Sequence, residues 1–315
     1  MPLMFWICNY KTNLGKSDLD KRFSPHSVAI FQALFVTFLW STSWVLIKIG
    51  LKDIPALTFA GLRYCLAFLC LLPFALRSTS REAMLRLSYR QWGLLVLLGL
   101  LYYTIVQGAI FVGLAYLPAA TVSLIWNFTS LIVALMGLMW LSERPGLMGW
   151  AGIALSIGGA AVFFYPVVFP AAQVVGIVVS LAGMLTNAGA STLGRYINHR
   201  QDIPPLVVTT VSMGIGALAL LLVGGISQGL PSLGLIHWAI IGWLAVINTA
   251  FAFTLWNHTL RILSAMESSV INGSMLVQTA LLAWIFLGEG LSLLKWAGLL
   301  LAGLGVVIVQ LRRRE

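Results

Sequence analysis

Charge is what this chain has least of. Of its 315 residues, 9% are Asp, Glu, Lys or Arg and nine are acidic, whereas an ordinary soluble domain carries roughly 25% charged residues. So few charges cannot cover a water-facing surface, which excludes a soluble globular domain. Cysteine is equally sparse: Cys8 lies in the N-terminal tail, and Cys65 and Cys70 share one apolar stretch, so there is no disulfide framework. No phosphate loop, metal cluster or nucleophile with its base is legible. No catalytic residue, metal or cofactor is therefore assigned. The short alternating segments of a membrane β-barrel are missing too.

What fills the chain is apolar sequence, 60% of residues, with a mean hydropathy of +0.95. A helical crossing takes about 20 such residues. Ten fit, at 28–50, 55–77, 92–114, 118–140, 147–168, 173–195, 205–226, 236–259, 264–287 and 292–311. The expected fold class is an all-α polytopic membrane protein in contact with the lipid bilayer. Proline interrupts helix interiors and is tolerated in first turns and loops. Pro55, Pro118, Pro145, Pro166, Pro170, Pro204, Pro205 and Pro231 fall at junctions, and only Pro73 lies inside a span, near its end. Residues 1–27 are read as a cytoplasmic segment without the basic start and small-residue cleavage site of a signal peptide, and 312–315 as a basic cytoplasmic tail.

The net charge of +10 could suit nucleic acid, but loop charge accounts for it better, since cytoplasmic loops collect Lys and Arg. With both termini cytoplasmic, fifteen of the nineteen basic residues fall on that side. No nucleic-acid partner is expected.

Residues 117–162 occur twice. A shift of 146 residues without a gap puts Leu117 on Leu263, Glu143 on Glu289 and Trp150-Ala151-Gly152 on Trp296-Ala297-Gly298, with fourteen of forty-six positions identical. Upstream it puts Trp92 on Trp238 and Leu98 on Leu244. Such a match marks an internal duplication, of 28–168 onto 173–311. Five spans per half is odd, so the copy enters the membrane from the other side. Ten helices as two inverted five-helix repeats are expected, with a binding site near the midplane and alternating access about it.

Polar groups at mid-depth are costly in hydrocarbon and should face the interior. They sort spans 1, 3, 4, 6, 8 and 9 to a cavity wall and spans 2, 5, 7 and 10 to the periphery. The candidate substrate-binding residues are Trp40, Ser43, Trp44, Tyr102, Tyr103, Gln107, Trp126, Asn127, Asn187, Asn248, Asn272 and Gln278. Each can equally bond a neighbouring helix, a contact worth about 1 kcal/mol or less. Spans 5 and 10 carry small residues at i, i+4, Gly152/Ser156 and Gly298/Ala302, which let helices approach closely. No acidic residue falls near the midplane. Aromatic and amide groups there suit a neutral or zwitterionic organic molecule.

Two charged residues are assigned to gating or coupling. Arg63, about 12 Å along a helix from Pro55, either attracts an anion or snorkels outward along its own stem. Glu267 is a proton-coupling residue or the end of a capping box, Ser264-Ala-Met-Glu267. Glu143 and Glu289 are read as carboxylates at the N-termini of the helices that follow them. Proton coupling, and monomer against homodimer, both stay open.

Trp40-Ser-Thr-Ser-Trp-Val-Leu-Ile-Lys48, the Pro55…Arg63 element, and the paired endings Leu141-Ser-Glu-Arg-Pro145 and Phe286-Leu-Gly-Glu-Gly290, each followed by Trp-Ala-Gly, resemble the EamA-like families of the drug/metabolite transporter superfamily. The resemblance covers about residues 28–311. It implies an inner (plasma) membrane permease, often an exporter of amino acids or other metabolites, with a central cavity. Family members often carry a proline in the middle of spans 4 and 9, where this chain has Asn127-Phe-Thr-Ser130 and Gly273-Ser-Met-Leu276, so the resemblance supplies no kink there. Weaker readings are a phosphorylated-sugar exchanger, which needs more basic residues at the cavity than Arg63, an intramembrane enzyme using His258 and Glu267, and a non-transporting scaffold.

The duplication makes a topological prediction. Reporter fusions at the Glu143 and Glu289 breaks should report opposite sides of the membrane; the same side for both would exclude the inverted repeat.

Overall fold

The computed structural model describes residues 24–133, 147–165, 170–199, 203–259, 262–263 and 265–311, and among these every regular element is helical. Helix α1 (Pro25–Gly50) starts at Ser24, whose hydroxyl accepts from the Ser27 amide at 3.1 Å, with proline at the first helical position. Helix α2 (Ala56–Ala75) follows Pro55 and runs through Pro73. A short helix α3 (Ser78–Leu85), not anticipated from the sequence, leads to α4 (Tyr89–Tyr116), which opens on a capping box of Ser88 and Gln91. Then come α5 (Ala119–Asn127), α6 (Leu147–Phe164), α7 (Ala171–His199), α8 (Pro205–Gln228), α9 (235–259), α10 (Ala265–Gly273), α11 (Met275–Leu287) and α12 (Leu293–Leu311). Helices α8 and α11 stop at Gly229 (φ 79°) and Gly288 (φ 65°), a left-handed conformation that glycine adopts without strain.

Six stretches are long and apolar enough to cross a membrane: α1, α2, α4, α7, α8 and Val270–Leu287. Shorter apolar helices lie at Ala119–Val133, Met148–Phe164, Leu235–Phe251 and Leu293–Val309. All fall on segments expected from the sequence. Glu143 and the break around it lie outside the described residues.

Close approach of small residues sets the packing. A methyl carbon on Gly159 would sit 2.7 Å from the Gly298 carbonyl, and one on Gly152 would sit 2.8 Å from the Gly305 carbonyl. Between these pairs the Ser156 hydroxyl meets the Ala302 carbonyl at 3.4 Å. Helices α6 and α12 are thus antiparallel, and the 146-residue shift exchanges 152 with 298 and 159 with 305 while mapping 156 onto 302. The pair carries a local two-fold axis, and its small residues make the close approach expected of them. Helices α2 and α8 repeat the device: Gly61 lies against the Leu221 backbone, Gly224 against Thr58, and Phe68 against Gly214, again 146 residues apart.

The helical irregularities recur at the same shift. Helix α4 is π-helical over Gly99–Val106 and α9 over Val246–Phe251; the shift carries 99–106 onto 245–252. Span 4 breaks after Asn127 and span 9 after Gly273, again 146 apart, and each break has an i→i−3 bond of 3.1 Å, Phe128 to Ile125 and Ser274 to Ile271. Each resumes with an i→i−4 bond of 3.0 Å, Ile132 to Phe128 and Gln278 to Ser274. Both spans therefore bend without proline. At the second, the Ser274 hydroxyl bonds the Ile271 carbonyl at 2.6 Å, a back-bond that bends helices.

Neighbouring glycines test the packing. Gly159→Ala should lower thermal stability in detergent by about 1–3 kcal/mol through overpacking against α12. Gly158→Ala, with nothing within 4 Å, should be neutral or stabilising; equal effects would contradict the contact.

Candidate functional site

The middle of the bundle is crossed by polar bonds between helices. Asn248, fully buried in the π segment of α9, donates to the Leu39 carbonyl and to Thr42 Oγ1 at 3.1 Å. On the next face of α1, Gln278 of α11 accepts from Ser41 at 3.2 Å and donates to Thr37 at 3.3 Å and to Ser274 at 3.0 Å. Across the bundle the equivalent of Ser41, Asn187 in α7, donates to Thr129 beyond the α5 break at 3.4 Å. The two halves thus make related contacts between the helix bearing the break and the helix beside it.

A second cluster joins α2 to α4. The Tyr64 hydroxyl donates to Gln107 at 2.6 Å, its ring lies 5.7 Å from Tyr103, and Tyr103 lies 5.1 Å from Tyr102. Helix α2 was expected at the periphery, yet it sends both Tyr64 and Arg63 inward. Arg63 does not snorkel outward: it is 5% exposed, its guanidinium donates to Thr249 at 3.1 and 3.3 Å, and it lies over the Tyr64 ring. The cause is in α9, where Thr249 donates to the Leu244 carbonyl five residues back, at 2.8 Å, and so turns its oxygen toward Arg63.

Several expected site residues keep buried polar atoms that meet no partner among the described residues: Trp40 Nε1, Trp126 Nε1, Asn127 Nδ2 and Asn248 Oδ1. Trp40 packs between Phe253 and Trp256, each 5.2 Å away, and the Trp126 ring lies over Gly183. Trp44 packs against the main core, and Ser43 bonds only the Leu39 carbonyl of its own helix, at 3.5 Å. Asn272 is exposed. Ile271 turns into the α1 core, and a helix rotates 100° per residue, which carries Asn272 away.

Glu267 bonds His26 at the start of α1, at 2.7 Å. His258 is exposed, so the pairing that an intramembrane enzyme would need is not assembled by this bond. Ser264, the other half of the expected capping box, lies outside the described residues.

The reading of Glu289 needs correction. Its carboxylate accepts from the Ala119 and Ala120 amides at 2.6 and 3.2 Å, so it caps α5 of the first half rather than α12, the helix that follows it. Lys48 completes the corner, donating to the Leu114 and Leu117 carbonyls at 2.5 and 2.7 Å. The sequence held the signal: Pro118 lacks the amide hydrogen that would otherwise bond Leu114, leaving a carbonyl for a cation. Two orphan groups of opposite sign at one chain reversal thus tie the end of α1 to the approach to α12.

A model of the EamA-like transporter family matches residues 27–165 and again residues 174–311. The chain belongs to the EamA-like transporter family. Among relatives of this EamA-like protein are the uncharacterized transporter YvbV of Bacillus subtilis (strain 168), 27% identical over 89% of this chain and 90% of that one. Another is a probable amino-acid metabolite efflux pump of Salmonella typhimurium (strain LT2), 28% identical over 90% and 96%. A third is the uncharacterized inner membrane transporter YedA of Escherichia coli (strain K12), 26% identical over 90% of each. A crystal structure 18% identical, covering 91% of this chain and 99% of its own, superposes with a TM-score of 0.65 and shows that the fold is shared.

The corner yields a stability prediction. Glu289→Ala should cost about 1–2 kcal/mol, as loss of a helix N-cap does, and Glu289→Gln, which keeps an acceptor, should cost less. Thermal unfolding of the purified protein measures both; an unchanged midpoint for the alanine variant would contradict the cap.

Proposed function

We propose that this EamA-like protein is a ten-span permease of two inverted five-helix halves that moves a small neutral or zwitterionic organic molecule outward by alternating access. It sits in the inner (plasma) membrane with both termini cytoplasmic. One observation carries the reading. Two π segments and two proline-free breaks, each pair 146 residues apart, lie on the helices that hold Trp40-facing, Asn248, Trp126 and Asn127 groups, several of them without partners. Helices that are irregular in the same place in both halves are elements that can exchange two arrangements, which rocking about a central site requires.

The chemistry of the lining supports the cargo class. Tyr64, Tyr102, Tyr103, Trp40 and Trp126 offer aromatic faces, and Gln107, Asn127 and Asn248 offer amides, the mix of apolar wall and few polar groups that a ligand pocket uses. The efflux name of the Salmonella relative agrees with an amino-acid-like cargo and an outward direction. Only Arg63 is a cation among these groups, which favours such a cargo over a sugar phosphate.

Proteoliposomes loaded with a panel of amino acids and aromatic metabolites, with and without a pH gradient, test this. At least one compound should show saturable flux that Asn248→Ala or Trp126→Ala lowers about tenfold. Flux at the rate of empty liposomes for every compound would remove the permease reading.

A further inference from the structure

Among the described residues, Arg63 is a guanidinium without a countercharge. It is 5% exposed, and its contacts among the described residues are one hydroxyl, that of Thr249, and one aromatic ring. Both of its bonds end on the same oxygen, leaving most of its five donors unused. The described carboxylates are engaged elsewhere or exposed: Glu289 on the α5 amides, Glu267 on His26, Asp53 beside His237, and Glu82 on the surface. A buried cation is expensive unless paired, and in membrane segments such residues face an interior or cavity and mark ligand paths.

Its surroundings are built for an anion. Thr249 donates to the Leu244 carbonyl five residues back, and its oxygen accepts from Nε and Nη2 on one edge of the guanidinium; Nη1 has no partner among the described residues, and a planar carboxylate is the acceptor that matches a guanidinium edge. Tyr64, held by Gln107, walls the cation from the α4 side. The other buried polar atoms without a partner among the described residues are three donors, Trp40 Nε1, Trp126 Nε1 and Asn127 Nδ2, two acceptors, Gln32 Oε1 and Asn248 Oδ1, and the hydroxyls of Ser180, Thr210 and Thr279. The device also breaks the symmetry of the fold: the 146-residue shift puts Thr209 opposite Arg63 and Tyr103 opposite Thr249. What the halves share serves motion, and what one half alone holds can set which cargo is accepted.

We propose that Arg63, oriented by Thr249, is the specificity residue that binds a carboxylate on the transported molecule, so that the cargo is an organic acid or a zwitterion held by its acid end. This deepens the permease reading and rests on it for the source of the ligand.

Benzoate and benzamide, equal in shape and different in charge, separate the alternatives. With the purified full-length protein in detergent, binding is read from tryptophan fluorescence and thermal shift. Benzoate should bind at least about tenfold more tightly than benzamide, the scale of a lost charge-assisted pair. Arg63→Gln should abolish the preference, Arg63→Lys should retain part of it, and Thr249→Val should weaken benzoate by about threefold. If Arg63→Gln does not fold, the Lys and Val variants carry the same comparison. Equal binding of the two probes, binding of neither, or a preference that survives loss of Arg63 would overturn the assignment. Displacement of benzoate by equimolar chloride would make this an inorganic-anion site and overturn it as well. In vesicles, flux of amino acids and of their amides alike would defeat the carboxylate anchor alone, whereas absence of all flux beside intact benzoate binding would defeat the permease reading alone.

Discussion

Hydrocarbon offers no hydrogen bond to a peptide group, so every place where a helix opens must be closed by the protein itself. This chain opens its helices repeatedly and closes several of the openings with side chains, some from other helices and some from the same one. Lys48 takes the carbonyl that Pro118 leaves free, Glu289 takes the first amides of α5, and Thr249 takes the Leu244 carbonyl inside a π segment. Asn248 reaches from α9 to a carbonyl of α1. The polar residues of a chain that is 9% charged are spent largely on these closures.

The closures divide the bundle into firm and yielding parts. Where small residues bring backbones together, as between α6 and α12 or α2 and α8, there is little room for change without steric clash. Where the helices carry π turns or breaks, the bonds are fewer and involve side chains that can find other partners. The second kind surrounds the buried polar atoms. Each tight pair joins one helix of the first half to one of the second, α6 to α12 and α2 to α8, so these pairs are the seams that hold the halves together.

Much of this was legible beforehand. The proline positions marked the helix ends, the 146-residue match marked the duplication, and Gly152/Ser156 with Gly298/Ala302 marked a close helix pair. Trp40, Trp126, Asn127 and Asn248 were expected to face the interior from polarity alone; each holds a buried polar atom without a partner among the described residues, as Gln32, Ser180, Thr210 and Thr279 also do. The π segments were not legible, because nothing in Gly99–Val106 or Val246–Phe251 differs in composition from ordinary helix. The direction of Arg63 was left open between an anion and an outward stem, because it depends on Thr249, nearly two hundred residues away. Glu289 was placed on the nearest helix in sequence, whereas the fold brings it to a helix of the other half.

The proposed permease requires its two halves to move relative to each other, and the Lys48–Glu289 corner ties the end of α1 to the approach to α12. Spin labels at Lys52 and Gly290, on a background without Cys8, Cys65 and Cys70, measure that end directly. Two distance populations, whose ratio shifts when a transported compound is added, are the predicted result. One population that no transported compound alters would contradict it.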